Sequence, residues 1–161
     1  MATTNEPQEE MARLEIVKGD EAELLVGGLR FVACRREIDK FDGGVSLYVF
    51  SDLPDDDREL LRVDLFRERP HYHAPAENRA EFKIKPSAGK DALDWGVEAF
   101  TTRASELVLE GGFNDIAEQL DQEALGSCGT ALREMFDGLG EPTEVSHFEV
   151  PRSVFDALEA G

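Results

Sequence analysis

The hydrophobic period of the chain changes near residue 90, and this change narrows the folds that the chain can adopt. Before it, short segments such as Leu29–Ile38 and Leu61–Phe66 alternate along their length, which is typical of half-buried β-strands. After it, apolar side chains recur every three or four residues from Leu93 to Leu107, which is the period of an amphipathic helix. The sequence therefore predicts an α+β fold, in which an antiparallel β-sheet in the N-terminal half is packed by three or more helices in the C-terminal half.

Local turn signals refine this prediction. Gly27-Gly28 separates two apolar runs, and a glycine pair at this spacing favours a tight two-residue β-hairpin. We expect the sheet roughly within residues 13–85 and the main helices roughly within residues 91–139. A last strand from Glu144 and a short helix that opens at Pro151 are expected to follow.

The length and cysteine content indicate the class of protein. The 161 residues suit a single domain over residues 12–161, preceded by a flexible polar leader over residues 1–11. The chain has two cysteines, Cys34 and Cys128, and the sequence shows neither a secretory signal nor an apolar run long enough to cross a membrane. These features favour a cytoplasmic protein with two free thiols.

The chain is strongly acidic, with a net charge of −18. This charge disfavours binding to nucleic acids and to anionic membranes, because both attract basic proteins. Residues 58–90 differ from the rest, since they hold eight basic and five acidic side chains, a net charge of +3. A basic segment on an acidic protein can attract a small anionic ligand, although ion pairs between neighbouring strands explain the same pattern.

The basic segment contains two of the three histidines, His71 and His73. If both lie in one strand, alternation places the two imidazoles on the same face, which is the arrangement that a divalent metal ion needs. His147 from a neighbouring strand and Glu77 from four residues downstream are candidates for further ligands. Such a set predicts zinc or non-haem iron as the cofactor.

Other side chains of the segment suggest ligand contacts. Arg67 and Arg69 share a face with both histidines if the strand is unbroken, and this cationic strip suits a carboxylate or phosphate group. Tyr72 points away from the histidines, and its phenol is a candidate to stack or hydrogen-bond. The segment fits three roles: a metal site, a metal-free acid/base or anion-binding site with His71 and His73 as catalytic residues, or no site.

Residues 71–77, His-Tyr-His-Ala-Pro-Ala-Glu, resemble the His-x-His-x3-Glu core of the first cupin motif. The resemblance covers seven of the 161 residues. The two glycines that flank this core in cupins are replaced by Leu65 and Ile84, and three predicted helices stand where a cupin continues its barrel. We therefore do not assign the chain to the cupins.

Two hypotheses of function remain. The first is a metal-dependent or acid/base enzyme, or a binding protein, that takes a small anionic molecule at His71-x-His73. The alternative is a non-enzymatic acidic module that binds a protein partner, in the manner of an immunity protein or an antitoxin. Metal analysis of untagged protein distinguishes the two.

Overall fold

The computed structural model describes residues 10–160. The N-terminal half forms most of an eight-stranded antiparallel sheet and the C-terminal half contains the helices, so the predicted α+β fold is confirmed. Residues 1–9 of the predicted leader lie outside the described residues, and Met11 already belongs to the first strand. No helix between residues 10 and 160 is long and apolar enough to cross a membrane.

The strands of the sheet, in chain order, are β1 (Met11–Lys18), β2 (Ala22–Val26), β3 (Leu29–Ile38), β4 (Asp42–Ser51), β5 (Glu59–Phe66), β6 (His71–His73), β7 (Phe82–Lys83) and β8 (Glu144–Pro151). Their order in space is β7-β6-β5-β4-β3-β1-β8, and β2 pairs with β3 off this path. The predicted β2–β3 hairpin is present, because Val26 pairs with Leu29 across Gly27-Gly28. Both glycines have positive φ, 63° and 92°, which this type of turn requires.

The helices are α1 (Ala92–Thr102), α2 (Ala104–Glu110), α3 (Asn114–Ala117), α4 (Gln122–Gly126), α5 (Gly129–Asp137) and α6 (Arg152–Glu159). The continuous period over residues 93–107 predicts one helix, but the structure breaks it at Arg103, which has φ −145° and ψ 36°. The hydroxyl groups of Thr101 and Thr102 donate to carbonyl groups one turn earlier. Such bonds weaken the regular helical ladder, and they stand directly before the break.

The two faces of the sheet differ in what covers them. Helices α1–α5 cover one side, which we call the core face, with fully buried side chains that include Phe31, Leu47, Val63, Phe100, Leu107 and Leu132. The other side, which we call the α6 face, is partly covered by α6, whose Phe155 makes an edge contact with Phe41 at 5.1 Å. Cys34 and Cys128 are buried and free, as the sequence predicts.

The α6 face carries a row of polar side chains across four strands. The strand register pairs Cys34 with Ser46, Ser46 with Asp64, and Asp64 with His71. Because paired residues of neighbouring strands share a face, these four side chains lie side by side. The last side chain of the row, that of His71, belongs to the predicted His-x-His segment.

Candidate metal centre

The β5–β6 hairpin brings a carboxylate and two imidazoles together. Asp64 pairs with His71, and Arg62 pairs with His73, so both histidines stand on the α6 face beside β5. Asp64, His71 and His73 each offer a ligand atom, and these atoms all lie within 4.8 Å of one another. The two histidine rings meet edge to face with their centres 5.1 Å apart.

Asp64 is buried, with 6% of its surface exposed, and several donors hold its carboxylate. Ser46 donates its hydroxyl proton to Asp64 Oδ1 at 2.9 Å, while Arg36 Nη1 lies 3.8 Å from the same oxygen. The second oxygen, Oδ2, lies 3.1 Å from His71 Nε2. The carboxylate is therefore fixed in position and aimed at the histidine pair.

Backbone carbonyl groups set the tautomer of both imidazoles. His71 Nδ1 lies 2.8 Å from the carbonyl oxygen of Arg69, and His73 Nδ1 lies 2.7 Å from that of Asn78. A carbonyl oxygen can only accept a hydrogen bond, so each Nδ1 carries the proton and donates it. In the neutral rings Nε2 is consequently the nitrogen with a free lone pair, and His71 Nε2 faces Asp64.

The Asp64–His71 pair shifts the titration of both groups. Burial on its own disfavours both charged forms, but the hydrogen bond and the opposite charge of the partner outweigh it. The pKa of Asp64 is lowered below 3.8, with help from Ser46 and Arg36. The pKa of His71 is raised above 6.5, with help from the Arg69 carbonyl group. Without metal, the pair therefore favours the charged form of each group, a carboxylate beside an imidazolium, more than either group would alone.

We expect this ion pair to stabilise the metal-free protein most at mildly acidic pH. The contribution of His71 is full below its ordinary pKa of 6.5 and is lost as the pH rises through its raised folded value. The contribution of Asp64 is present above its ordinary pKa of 3.8 and is lost as the pH falls through its lowered folded value. Urea denaturation with EDTA between pH 4 and 9 measures the effect.

The comparison for this pH series is wild type against His71→Gln. The pH-dependent part of the difference in the free energy of unfolding should be on the order of 1 kcal/mol, largest at about pH 4–6.5 and declining above that window. A difference that instead grows above neutral pH would contradict the raised pKa of His71.

The structure does not bring the other two predicted metal ligands to this cluster. His147 lies on β8, with four strands between it and β6, and its nearest described acidic partner is Glu15 at 3.8 Å. Glu77 is exposed in the loop after β6 and is outside the described group of three ligand atoms. The third candidate ligand is instead Asp64, which belongs to the alternating segment Leu61–Phe66 and which the sequence did not mark as a site residue.

The predicted ligand-contact residues have separate positions. Arg67 is exposed and forms two hydrogen bonds to the carboxylate of Glu37, at 3.0 and 2.7 Å. Arg69 is also exposed and donates to the carbonyl oxygen of Ala157 in α6 at 3.1 Å. Tyr72 lies on the core face, as alternation predicts, where its hydroxyl group donates to Glu110. The four side chains of the expected cationic strip thus do not share one ligand-facing position.

A cavity of about 460 Å³ adjoins the cluster at His71. The last turn of α6 forms one wall, through Leu158 and Glu159, while Phe66 and Arg69 line the side nearest the histidine. Asp64 and His73 are not among the residues that line this cavity, which we call the His71 cavity, so it meets the cluster at His71 alone. Its volume falls within the range of small-molecule sites.

Comparison with known proteins places the chain in a family. No curated protein and no solved structure matches it. A family model described as a domain of unknown function, DUF7700, matches residues 23–135, from β2 into α5. This match spans more than half of the 161 residues and includes Asp64, His71 and His73. The chain therefore belongs to the family of the domain of unknown function DUF7700.

Proposed function

We propose that this protein binds a divalent transition metal ion through Asp64, His71 and His73 and uses it to hold a small anionic molecule. One aspartate and two histidines form a donor set that suits zinc or non-haem iron. Three protein ligands leave coordination positions for water and for a substrate. A metal ion in such a site supplies Lewis acidity.

The orientation of the two imidazoles carries this proposal. Ligating histidines characteristically donate the second ring N–H to a carbonyl group or carboxylate, which fixes the ring and its tautomer. Both His71 and His73 have this support, from the carbonyl groups of Arg69 and Asn78. Surface histidines have no need of such support, and its presence on both rings favours a prepared pair of Nε2 ligands.

The separation of the ligand atoms supports the same conclusion. Two ligands at about 2.0–2.1 Å from a tetrahedral zinc ion lie about 3.3 Å apart. His71 Nε2 and Asp64 Oδ2 are 3.1 Å apart, so a metal ion can replace the proton between them with little movement. His73 offers a ligand atom within 4.8 Å of the other two and supplies the third ligand.

The metal-free acid/base role receives less support. In the absence of metal both ring nitrogens of His71 are engaged, Nδ1 by the Arg69 carbonyl group and Nε2 by Asp64. General acid/base catalysis needs a ring nitrogen within reach of the substrate. His71 presents none unless one of these contacts is broken, so metal binding is the role that this half-buried ring supports better.

The His71 cavity suggests how the bound molecule is placed. Lys40 and Arg69 line it together with four carboxylates, namely those of Asp42, Glu68, Glu81 and Glu159. These side chains alone do not favour an anion, so the metal ion provides the main attraction and Arg69 orients the ligand. We further propose a reducing, cytoplasmic location, in keeping with the two free thiols.

Metal analysis of untagged protein tests this function. We expect one zinc or iron ion per chain, and Co²⁺ titration should give a visible absorption spectrum of low coordination number. The variant His71→Ala/His73→Ala should bind Co²⁺ at least about 100-fold more weakly. His147→Ala is the matched control, and it should bind as wild type does.

Two outcomes would contradict the metal site. The first is equal metal content in wild type and in the double histidine variant. The second is metal-free wild-type protein that also fails to bind Co²⁺ or Zn²⁺ at micromolar concentration. If the same preparation is isolated with a basic protein partner, the alternative of an acidic interaction module becomes the better description.

A further inference from the structure

A second cavity lies at one end of the sheet, on its core face, between the sheet and the helices. Its volume is about 830 Å³, which is typical of small-molecule pockets. We call it the helix-side cleft. Its apolar lining comes from strands and helices alike and includes Val45, Leu65, Ile84, Leu93 and Phe136. The cleft can therefore remove a sizeable apolar group from water.

Basic side chains line the helix-side cleft, although the chain carries a net charge of −18. They are Arg35, Arg67, Lys85 and Lys90. The two arginines are already paired, Arg35 with Glu141 at 2.6 Å and Arg67 with Glu37 at 2.7 Å. The two lysines are therefore the cations that remain for a ligand.

Lys85 and Lys90 are both exposed at the opening of the cleft. Within residues 10–160, neither ammonium group lies within 4.0 Å of a carboxylate oxygen, although the charge of Lys90 adds to the larger effects of Asp91 and Arg133 in lowering the pKa of Asp94. Both side chains are long and flexible, so their ammonium groups can approach a ligand at the opening while the floor remains apolar. An apolar floor with flexible, exposed cations at its rim is complementary to an amphipathic anion.

The acidic residues of the cleft do not cancel this charge. Asp91 caps the N-terminus of α1 by accepting a backbone N–H at 2.9 Å, and Asp137 lies 3.3 Å from Arg133 Nε. The charge of Glu68 acts on Arg67, whose pKa it helps to raise after the larger effect of the partner carboxylate. Asp91 and Asp94 accept hydrogen bonds from each other's backbone N–H groups and so cap the N-terminus of α1. The lysines, rather than the helix terminus, must therefore recognise an anion.

We propose that the helix-side cleft binds a medium-chain aliphatic carboxylate. The hydrocarbon chain lies against Leu65, Ile84 and Phe136, and the carboxylate lies at the rim near Lys85 and Lys90. Phe66 and Glu68 line both this cleft and the His71 cavity. The candidate metal ligands nevertheless lie outside the cleft, because Val45 and Leu65 face the core side of the sheet whereas Asp64 faces the α6 side. Binding in the cleft does not depend on the proposed metal function.

Calorimetric titration of the whole protein with octanoate and decanoate tests the proposal. We expect one saturable site per chain, with an affinity that rises about fourfold for each added methylene group. Lys85→Gln/Lys90→Gln should bind decanoate about fivefold more weakly, and added salt should reduce the difference. The same variant should bind neutral octan-1-ol as wild type does.

Two control variants locate the site. Lys40→Gln removes an exposed cation from the His71 cavity and should leave decanoate binding unchanged. His71→Ala/His73→Ala should also leave it unchanged, which separates this result from the outcome of the metal experiment. Wild type without saturable binding would overturn the proposal. Decanoate binding that falls in Lys40→Gln or in the histidine variant but not in Lys85→Gln/Lys90→Gln would overturn it too.

Discussion

Replacing Asp64 by asparagine should weaken metal binding by at least about 100-fold while the fold is retained. Asparagine has nearly the same volume and keeps an oxygen that can accept the hydrogen bond from Ser46, now 2.9 Å from Asp64 Oδ1. It loses the negative charge that strengthens the binding of a divalent cation. Losing a residue that only supports a metal ligand costs 10- to 100-fold in affinity, so losing a direct ligand should cost at least the upper value.

Glu81→Gln is the matched control for this experiment. The carboxylate of Glu81 lies 3.8 Å from the same nitrogen, His71 Nε2, but its side chain is 54% exposed. A flexible exposed carboxylate contributes little to a fixed site, so Glu81→Gln should change the dissociation constant for Co²⁺ by about threefold or less.

Comparing the two variants shows whether Asp64 or Glu81 contributes more to Co²⁺ binding. If Glu81→Gln weakens Co²⁺ binding as much as Asp64→Asn does, the third ligand is misassigned. If neither variant changes binding, the histidines do not form a metal site with a carboxylate. Urea denaturation of Asp64→Asn confirms that any loss of binding comes from folded protein.

The sequence predicts two of the three residues of the candidate metal centre. The His-x-His spacing is enough to place His71 and His73 on one face, because alternation is a local property of a strand. Asp64 belongs to the neighbouring strand, and its role depends on register. Four residues separate Phe66 from His71, so pairing the strands symmetrically about this turn sets Asp64 opposite His73, whereas the observed register sets it opposite His71. Either register places Asp64 on the face that carries the two histidines, and this is the signal from which Asp64 could have been predicted.

The predicted ligand His147 shows where such reasoning fails. Its strand, β8, pairs with β1 at the opposite end of the sheet from β6. That pairing joins residues from the two ends of the chain, and no local pattern specifies it. Whether a strand such as β8 lies at the edge of the sheet depends on the topology of the whole sheet, and hydrophobic periods do not determine that topology.

Local sequence signals are enough to predict the order of strands and helices. They are not enough to predict the position of α6 or the break at Arg103. Alternation and the glycine turns predict the strands, and the change of period predicts the helical half. The position of α6 over the opposite face depends on contacts such as Phe155 with Phe41, which join distant parts of the chain. The break at Arg103 depends on side-chain hydrogen bonds from Thr101 and Thr102, which an apolar period does not reveal.

Replacing Phe100 by alanine should lower the free energy of unfolding by about 3–5 kcal/mol. The Phe100 side chain is fully buried, and its ring meets Phe31 edge to face at 5.2 Å. Alanine would remove this aromatic contact between α1 and the sheet and leave a cavity that the close-packed core cannot fill completely. The loss is a large part of the stability of a typical protein of this size. Urea denaturation of wild type and variant measures it.

Leu109→Ala is the control for this prediction, because Leu109 is 47% exposed on α2, where the same kind of truncation should cost less than about 1 kcal/mol. Equal losses in the two variants would contradict the assignment of Phe100 to the core.

Phe100 packs on the core face, whereas Asp64 and both histidines stand on the α6 face. Folded Phe100→Ala should therefore bind Co²⁺ within about threefold of wild type, since contacts on opposite faces of a sheet act nearly independently. A much larger loss of Co²⁺ affinity in folded variant would mean that the helix layer positions the metal ligands through the strands.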